Sequence, residues 1–236
     1  NLLPLANGTK LALFGKGTVD YVKGGGGSGD VTVAYSHSLL DGMKEKEREG
    51  KVFLYKELHD FYEREVRAQY AVGIDPGMTA EPEVPAALLE GAKAFADTAI
   101  ISICRFSGER WDRTVEGQSD LTGLYKVDVK CLTRAAEVFE HGDFYLSNAE
   151  ARLVEQVTEN FAKVIGVLNV GGVVDTTWFA YNNKIQSALF AWQAGMEGGL
   201  AIADILCGEA NPSGKLVDTC AKTFEDYPSS KGFHES

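Results

Sequence analysis

Two kinds of hydrophobic pattern alternate along the chain. Four short segments are mostly apolar without regular alternation, which is typical of strands covered on both faces of a sheet. These segments are KLALF (10–14), TAIISIC (98–104), KVIGVLNV (163–170) and SALFAW (187–192). Between them, apolar residues recur at every third or fourth position, which predicts amphipathic helices. The predicted helices cover 37–50, 56–72, 83–95, 147–161 and 196–208.

This alternation predicts the α/β class: a three-layer αβα sandwich around a mostly parallel sheet. A chain of 236 residues fits one such domain, covering 1–236. In open sheets of this kind, ligands bind beyond the carboxyl ends of the strands. The segments that leave those ends are 15–30, 105–146, 169–177 and 192–198, so functional residues are expected there. Segment 105–146 is too long for a simple connection and is expected to carry function or an interface.

Charge and cysteine content narrow the class of partner. The formal net charge of −11 argues against nucleic acid, because neutralising phosphates requires clustered Lys and Arg. A neutral substrate such as a sugar fits better, and no apolar run is long enough to cross a membrane. The four cysteines (Cys104, Cys131, Cys207 and Cys220) form no CxxC pair and are expected to be reduced, which favours a cytoplasmic location. The four histidines lack metal-ligand spacing, so neither a metal nor a cofactor is expected.

The stretch KGGGGSGD (23–30) has three interpretations. It could be an engineered linker, but its flanks TVDYVK and DVTVAYSHSLLDGM belong to one continuous α/β unit. It could cradle a phosphate, but such loops place the glycines directly between a strand and a helix, with a Lys after them rather than before. The third interpretation is a loop whose backbone runs close against something large.

A second candidate segment, RFSGERWDR (105–113), follows the most apolar predicted strand. It places one carboxylate, Glu109, beside a glycine and among three arginines. From composition alone, this could equally be a salt-bridge network on the surface. Active-site loops are also expected at this position, after a buried strand.

The segment resembles the RxSGEGxDR motif of glycoside hydrolase family 3, the β-glucosidase and β-xylosidase family. The resemblance extends over nearly the whole chain. NLLPL followed by KLALFGKG is similar to the start of that family's α/β sandwich domain, and GGGGSGDV to its glycine-serine loop. The segments KVIGVLNVGGVVDTTWF, AWQAGMEGGLAIADILCGEANPSGKLVDT and DYPSS also match the family.

Members of this family retain anomeric configuration by means of two carboxylates about 5 Å apart. The resemblance implies that Glu109 is the acid/base residue. Trp111, Arg105 and Ser28 are expected to bind substrate, although Trp111 could equally anchor the loop to the core. Asp112 and Arg113 are expected to brace the loop. The family's nucleophile is an aspartate on a separate (β/α)₈ barrel, which is absent here. The chain, which begins with Asn1 rather than Met and has no signal peptide, is therefore expected to be a fragment of a larger enzyme and inactive alone.

Two features depart from the family pattern. Arg110 stands where the family has glycine, and the loop after Arg113 is long and charged. Within that loop, Ser119-Asp120-Leu121 superficially resembles the barrel's nucleophile motif, but it lacks the preceding barrel strand. We interpret this similarity as coincidence.

Three functions from different classes follow from the sequence. The first is the acid/base domain of a retaining β-glucosidase, whose partners would be a β-glucoside or oligosaccharide, the barrel domain and, in a homo-oligomer, other copies of the chain. The second is a non-catalytic domain that binds carbohydrate or mediates oligomerisation. The third is a nucleotide-binding α/β domain. An exposed Glu109 in a cleft favours the first, whereas ion pairs from Glu109 to Arg105 or Arg113 favour the second.

Overall fold

A parallel β-sheet forms the centre of the molecule. The computed structural model describes residues 2–109, 111, 113–115 and 129–231, with only the backbone of 129–133. The strands are β1 (Thr9–Phe14), β2 (Val52–Leu54), β3 (Thr98–Arg105), β4 (Lys163–Val170) and β5 (Ile185–Phe190). They are ordered β2-β1-β3-β4-β5, and every neighbouring pair is parallel.

The central strands confirm the prediction of strands covered on both faces, since all eight residues of β3 are buried. For SALFAW the prediction of a buried strand was wrong. The strand there, β5, pairs only with β4 among the described strands, and of its six residues one is buried, three are partly buried and two are exposed. The sequence analysis missed β2, because its three residues are too few to show a periodicity.

Five of the helices confirm the predictions to within three residues at either end. The helices are α1 (Leu39–Arg48), α2 (Lys56–Ala71), α3 (Ala86–Phe95), α4 (Val129–Val138), α5 (Asn148–Asn160), α6 (Thr177–Ala180) and α7 (Gly198–Leu206). The additional helices α4 and α6 were not predicted. Capping boxes begin α1 at Ser38 and α5 at Ser147, where side chain and backbone satisfy each other's exposed N–H groups. None of the helices that the structure describes is long and apolar enough to cross a bilayer.

Two hydrophobic cores, one on each face of the sheet, confirm the three-layer sandwich. Helices α2, α3 and α5 cover one face, and α1 and α7 cover the other. The first core includes Phe14, Leu58, Tyr62, Ile101, Leu153 and Val157; the second includes Leu11, Leu40, Met43, Ile100, Ile165, Ile202 and Leu206. Full burial of each large apolar side chain contributes about 1.5–3 kcal/mol, so both layers fix the sheet firmly.

Helices α1 and α7 touch through their backbones. A Cβ on Gly42 would collide with the carbonyl oxygen of Gly199, and a Cβ on Gly199 would collide with that of Ser38. Glycine is therefore required on both helices at this crossing, although it lowers helix propensity.

The strand order creates a crevice beside the centre of the sheet. The chain passes from β1 to β2 on one side, whereas it passes from β3 to β4 on the other. The loops that leave the carboxyl ends of β1 and β3 therefore diverge. Ligands of open α/β sheets bind at such a switch point. The glycine stretch and the Glu109 segment are the loops that flank it.

Candidate functional site

The two loops at the switch point are joined through their backbones. The N–H of Gly26 donates to the carbonyl of Ser107 (2.9 Å), and the N–H of Glu109 donates to the carbonyl of Gly26 (3.1 Å). Gly26 and Gly108 form an isolated parallel bridge. The loop after β1 thus continues the pairing of β1 with β3 beyond the end of the sheet.

Glu109 lies at the meeting point of these loops, and its side chain is exposed. Ser28 donates to Glu109 Oε2 from its backbone N–H (3.0 Å) and from its hydroxyl (2.7 Å). The structure therefore brings together two of the residues that the sequence singled out. The arrangement presents a carboxylate of fixed orientation at the switch point.

The glycines permit this close approach. Gly27 has φ +80°, and a Cβ there would lie 2.5 Å from Glu109 Cβ. A Cβ on Gly26 would lie 2.6 Å from the Phe106 ring. The next helix, α1, begins only at Leu39, so no helix N-terminus follows the glycines directly, as it would in a phosphate loop. The geometry agrees with a loop that must run against its neighbour.

Arg105 lies inside the domain rather than at the loop surface. Its side chain is 2% exposed and forms two bonds to the Glu150 carboxylate, of 2.7 and 2.6 Å. The same guanidinium donates to the backbone carbonyls of Cys104, Asp143 and Tyr145. The expectation that Arg105 binds substrate is corrected here, because this burial commits the guanidinium to fixing the end of β3.

The Arg105–Glu150 pair is electrostatically balanced. Burial alone would raise the pKa of the Glu150 carboxyl, but the adjacent Arg105 guanidinium outweighs it and holds that pKa below its ordinary value. Burial alone would likewise lower the pKa of Arg105, but the Glu150 carboxylate keeps it raised. Both groups are therefore charged at neutral pH.

Arg113 and Trp111 anchor the segment that carries Glu109. Arg113 Nη1 donates to Asp143 Oδ2 (2.7 Å) and to the carbonyl of Phe106 (2.7 Å). Burial lowers the pKa of the Arg113 guanidinium, and the Asp143 carboxylate opposes this effect. The Trp111 indole N–H donates to Asp143 Oδ2 (3.0 Å), and its ring lies edge-on to Phe106 at 5.3 Å. Arg105 and Arg113 thus pair with Glu150 and Asp143, respectively.

Asn169, at the end of β4, connects two further loops. Its side-chain oxygen accepts from the N–H of Val22 (2.7 Å), and its amide nitrogen donates to the carbonyls of Val22 (3.0 Å) and Trp192 (2.7 Å). Trp192 is the only non-glycine residue with positive φ (51°) in the described part of the chain. This bond therefore supports a strained backbone position beside the site.

Charged side chains are buried beneath the switch point. Lys16 donates from Nζ to the carbonyl of Thr79 and lies 3.5 Å from Asp20 Oδ2. The backbone N–H of Lys16 donates to Glu81 Oε2 (2.8 Å). Burial raises the pKa of the Glu81 carboxyl to about 8. Because these groups are enclosed, they support the loop after β1 and are not accessible to a ligand.

Several sequence expectations concern residues outside the described part of the chain. These are Arg110, Asp112, the Ser119-Asp120-Leu121 segment and the side chain of Cys131. Cys104, Cys207 and Cys220 are free thiols. Among the residues whose side chains are described, no three His, Cys, Asp or Glu side chains are grouped so that they could hold a metal ion.

The sequence analysis did not identify Asp143 as a site residue. Asp143 lies 30 residues from Arg113, beyond the long loop, and no local pattern links the two. Glu150 was recognisable only as the cap of a helix, although the structure uses it as the partner of Arg105. For Asn169 the sequence did contain one indication of a site residue, because it lies near the end of a predicted strand in an Asn-x-Gly-Gly sequence.

Fold and site together define an α/β sandwich domain that presents the exposed carboxylate of Glu109 at its switch point. The chain belongs to the family described as the glycosyl hydrolase family 3 C-terminal domain, whose sequence model matches residues 1–236. The resemblance noted in the sequence is thereby confirmed.

Relatives and solved structures agree with this assignment. The chain is 54% identical to β-glucosidase A of Butyrivibrio fibrisolvens over 236 residues, which is 100% of this chain and 28% of that protein. It is 32% identical to a β-glucosidase of Ruminococcus albus over 239 residues, covering 99% of this chain and 22% of that one. β-Glucosidase 3B of Thermotoga neapolitana, solved with glycerol, superposes with a TM-score of 0.75 at 32% identity, over 97% of this chain and 29% of that structure. The chain therefore spans roughly a quarter of the length of these relatives.

Proposed function

We propose that this chain is the acid/base-bearing domain of a retaining β-glucosidase that hydrolyses terminal β-linked glucose, with Glu109 as the acid/base residue. The observation that supports this most directly is the exposed Glu109 carboxylate at the switch point, held by two hydrogen bonds from Ser28. The relatives named above, which carry the name β-glucosidase, support the choice of sugar.

The proposed chemistry needs a second carboxylate about 5–5.5 Å from Glu109. We propose that this nucleophile belongs to a (β/α)₈ barrel in the part of the enzyme that this chain does not contain. The length of the relatives is consistent with such a partner domain. In this arrangement the open end of the switch point faces the barrel, and the sugar lies between the two domains.

Glu109 would act twice in each cycle. It first donates its proton to the glycosidic oxygen while the nucleophile bonds to the anomeric carbon and the alcohol departs. As a carboxylate, it then removes a proton from the water that attacks the same carbon and displaces the nucleophile. Two inversions give net retention.

Two neighbouring residues receive supporting roles in this proposal. Ser28 would fix the orientation of Glu109 and present its hydroxyl to the substrate at the same edge. Trp111 lies two residues after Glu109 and is half-buried, so the open part of its ring would contact the leaving group. Its indole N–H is already bound to Asp143, and this bond would hold the ring in place.

Glu109→Ala in the full-length enzyme tests the proposal. For an alkyl β-glucoside or cellobiose, kcat/KM should fall by about 10²–10⁴, because the leaving group needs a proton. For a dinitrophenyl β-glucoside, whose leaving group needs little protonation, kcat/KM should change by less than about threefold. Azide should raise kcat of the variant and yield β-glucosyl azide, because it attacks the intermediate without a general base.

Glu159→Ala is the matched control, since Glu159 is an exposed glutamate in the last turn of α5, which leads into the amino end of β4 and thus lies at the opposite edge of the sheet. This variant should leave kcat/KM unchanged for both substrates. Equal losses on both substrates for Glu109→Ala, without azide rescue, would overturn the acid/base role. Unchanged activity on both would instead support the alternative of a non-catalytic domain that binds carbohydrate or mediates oligomerisation.

A further inference from the structure

The Asp143 carboxylate accepts several hydrogen bonds from the segment that carries Glu109. The side chain of Asp143 is 4% exposed. Oδ2 accepts from Arg113 Nη1 (2.7 Å) and from the Trp111 indole N–H (3.0 Å). Oδ1 accepts from the backbone N–H of Thr114 (2.7 Å) and from its hydroxyl (3.2 Å). Both oxygens of a buried carboxylate are thus satisfied by residues that follow Glu109 closely in sequence.

The Arg113 guanidinium extends this connection to both sides of Glu109. Besides Asp143, it donates to the carbonyl of Phe106 (2.7 Å), three residues before Glu109. It also donates to the carbonyl of Gly171 (3.3 Å), in the loop after β4. Asp143 therefore sets where Arg113 lies, and Arg113 fixes the backbone before Glu109 and the loop beside it.

The backbone of Asp143 binds the other end of the same segment. Its carbonyl accepts from Arg105 Nε (3.0 Å), at the last residue of β3. One residue thus contacts the strand that precedes the loop and three positions that follow Glu109. Between these fixed points only a short turn remains, closed by the bond from the Trp111 N–H to the carbonyl of Gly108 (3.0 Å).

From this geometry we infer that Asp143 is a positioning residue for Glu109: it sets the distance and angle at which the carboxylate meets the glycosidic oxygen. The inference rests on the proposed function of Glu109. The described hydrogen bonds of the Asp143 side chain lead to Trp111, Arg113 and Thr114, so it acts on Glu109 through these residues. A displacement of about 1 Å at a reacting group can cost about 10² in rate.

Asp143→Asn in the full-length enzyme tests the inference. Asparagine keeps the shape and one acceptor oxygen but removes the charge that holds Arg113. We expect kcat/KM on an alkyl β-glucoside to fall about 10–100-fold, while kcat/KM on a dinitrophenyl β-glucoside changes less than about threefold. Azide should partly restore kcat. Asp60→Asn, an exposed aspartate on α2, is the matched control and should show none of these effects.

A purely structural role would produce a different result. Equal losses on both substrates, in step with the folded fraction measured by circular dichroism, would overturn the positioning role, as would unchanged kinetics. Glu109→Ala, measured alongside, separates the inference about Asp143 from the proposed function of Glu109. We call a much larger loss on the alkyl glucoside than on the dinitrophenyl glucoside a leaving-group split. If Glu109→Ala shows this split and Asp143→Asn does not, only the inference about Asp143 is overturned. If neither variant shows the split, the proposed function itself fails.

A milder variant covers the case in which Asp143→Asn does not fold. Thr114→Val removes one donor to Asp143 Oδ1 and keeps the shape of the side chain, at a residue with no proposed contact to the substrate. It should lower kcat/KM on the alkyl glucoside about threefold more than on the dinitrophenyl glucoside. Equal effects on the two substrates would overturn the inference.

Discussion

Ser28 holds one oxygen of Glu109 with two hydrogen bonds, across 81 positions of sequence. One donor is the backbone N–H and the other is the hydroxyl. Hydrogen bonds to a carboxylate are stronger than those between neutral groups, so the pair selects one side-chain orientation. The orientation of Glu109 therefore depends on the position of the loop after β1 as well as on that of its own loop.

Ser28→Ala should weaken this selection without removing it, because the backbone N–H remains. In the full-length enzyme we expect about a tenfold loss of kcat/KM on an alkyl β-glucoside and a smaller loss on a dinitrophenyl glucoside. Ser213→Ala, an exposed serine in the segment after α7, should have no effect. Unchanged kinetics of Ser28→Ala would show that the hydroxyl does not matter for Glu109.

Gly27 and Gly29 form a matched pair for testing the glycine loop. Gly27 has φ +80° and would place a Cβ 2.5 Å from Glu109 Cβ, whereas a Cβ on Gly29 would meet nothing within 4 Å. Gly27→Ala should lower the free energy of unfolding by about 1–2 kcal/mol through backbone strain alone. It should also lower activity on poor leaving groups by displacing Glu109. Gly29→Ala should match the wild type in urea denaturation and in kinetics; similar behaviour of the two variants would contradict this account.

The buried pair of Arg105 and Glu150 should matter more for stability than any exposed pair. Arg105→Ala leaves the Glu150 carboxylate without its partner, so the free energy of unfolding should fall by about 3–5 kcal/mol. Lys56→Ala, which breaks the exposed pair with Asp60, should cause no measurable change. Urea denaturation followed by circular dichroism distinguishes these outcomes. An Arg105→Ala variant as stable as the wild type would refute the structural role assigned to this arginine.

Glu81 should make stability depend on pH. Burial raises the pKa of its carboxyl from an ordinary 4.5 to about 8, so the folded state binds more protons than the unfolded state between these values. The protonated Glu81 side chain therefore contributes to the stability of the folded state in full below about pH 4.5, and this contribution is lost as pH rises towards 8. Glu81→Gln cannot ionise, and its stability relative to wild type should increase over this range by roughly 1–3 kcal/mol.

The control for this prediction is Glu83→Gln, an exposed glutamate two residues away. Taking the difference between variant and wild type at each pH removes other titrating groups, such as His59, whose pKa burial lowers to about 4. A Glu81→Gln difference that stays constant from pH 5 to pH 8 would show that Glu81 ionises freely in the folded protein.

Local patterns were sufficient to predict the layers of this fold. The apolar residues of β3 and β4 and the helical spacing in α2 reflect burial that each segment undergoes whatever its partners are. Edge strands and short elements were harder to predict from local patterns. The edge strand β5 has the apolar composition of an inner strand, and β2 is only three residues long.

The site was predictable only where its residues lie in one short segment. Glu109 and Trp111 belong to RFSGERWDR, which carries a recognisable motif. Asp143 acquires its role only when the chain folds back across a long loop to meet Arg113. Glu150 completes the capping box of α5, but such a local pattern contains no information about a partner 45 positions away in sequence, such as Arg105.

The contact between Gly42 and Gly199 limits how this domain can move. Helices slide past one another when a layer of interlocking side chains can adjust between them. At this crossing the two backbones touch, and the nearest side chain, the short and rigid methyl of Ala203, offers little room to adjust. We therefore expect the α1 and α7 layer to travel as a rigid body during turnover. Under the proposed function, opening for substrate entry would then come from a hinge outside this layer, at the boundary with the proposed barrel domain.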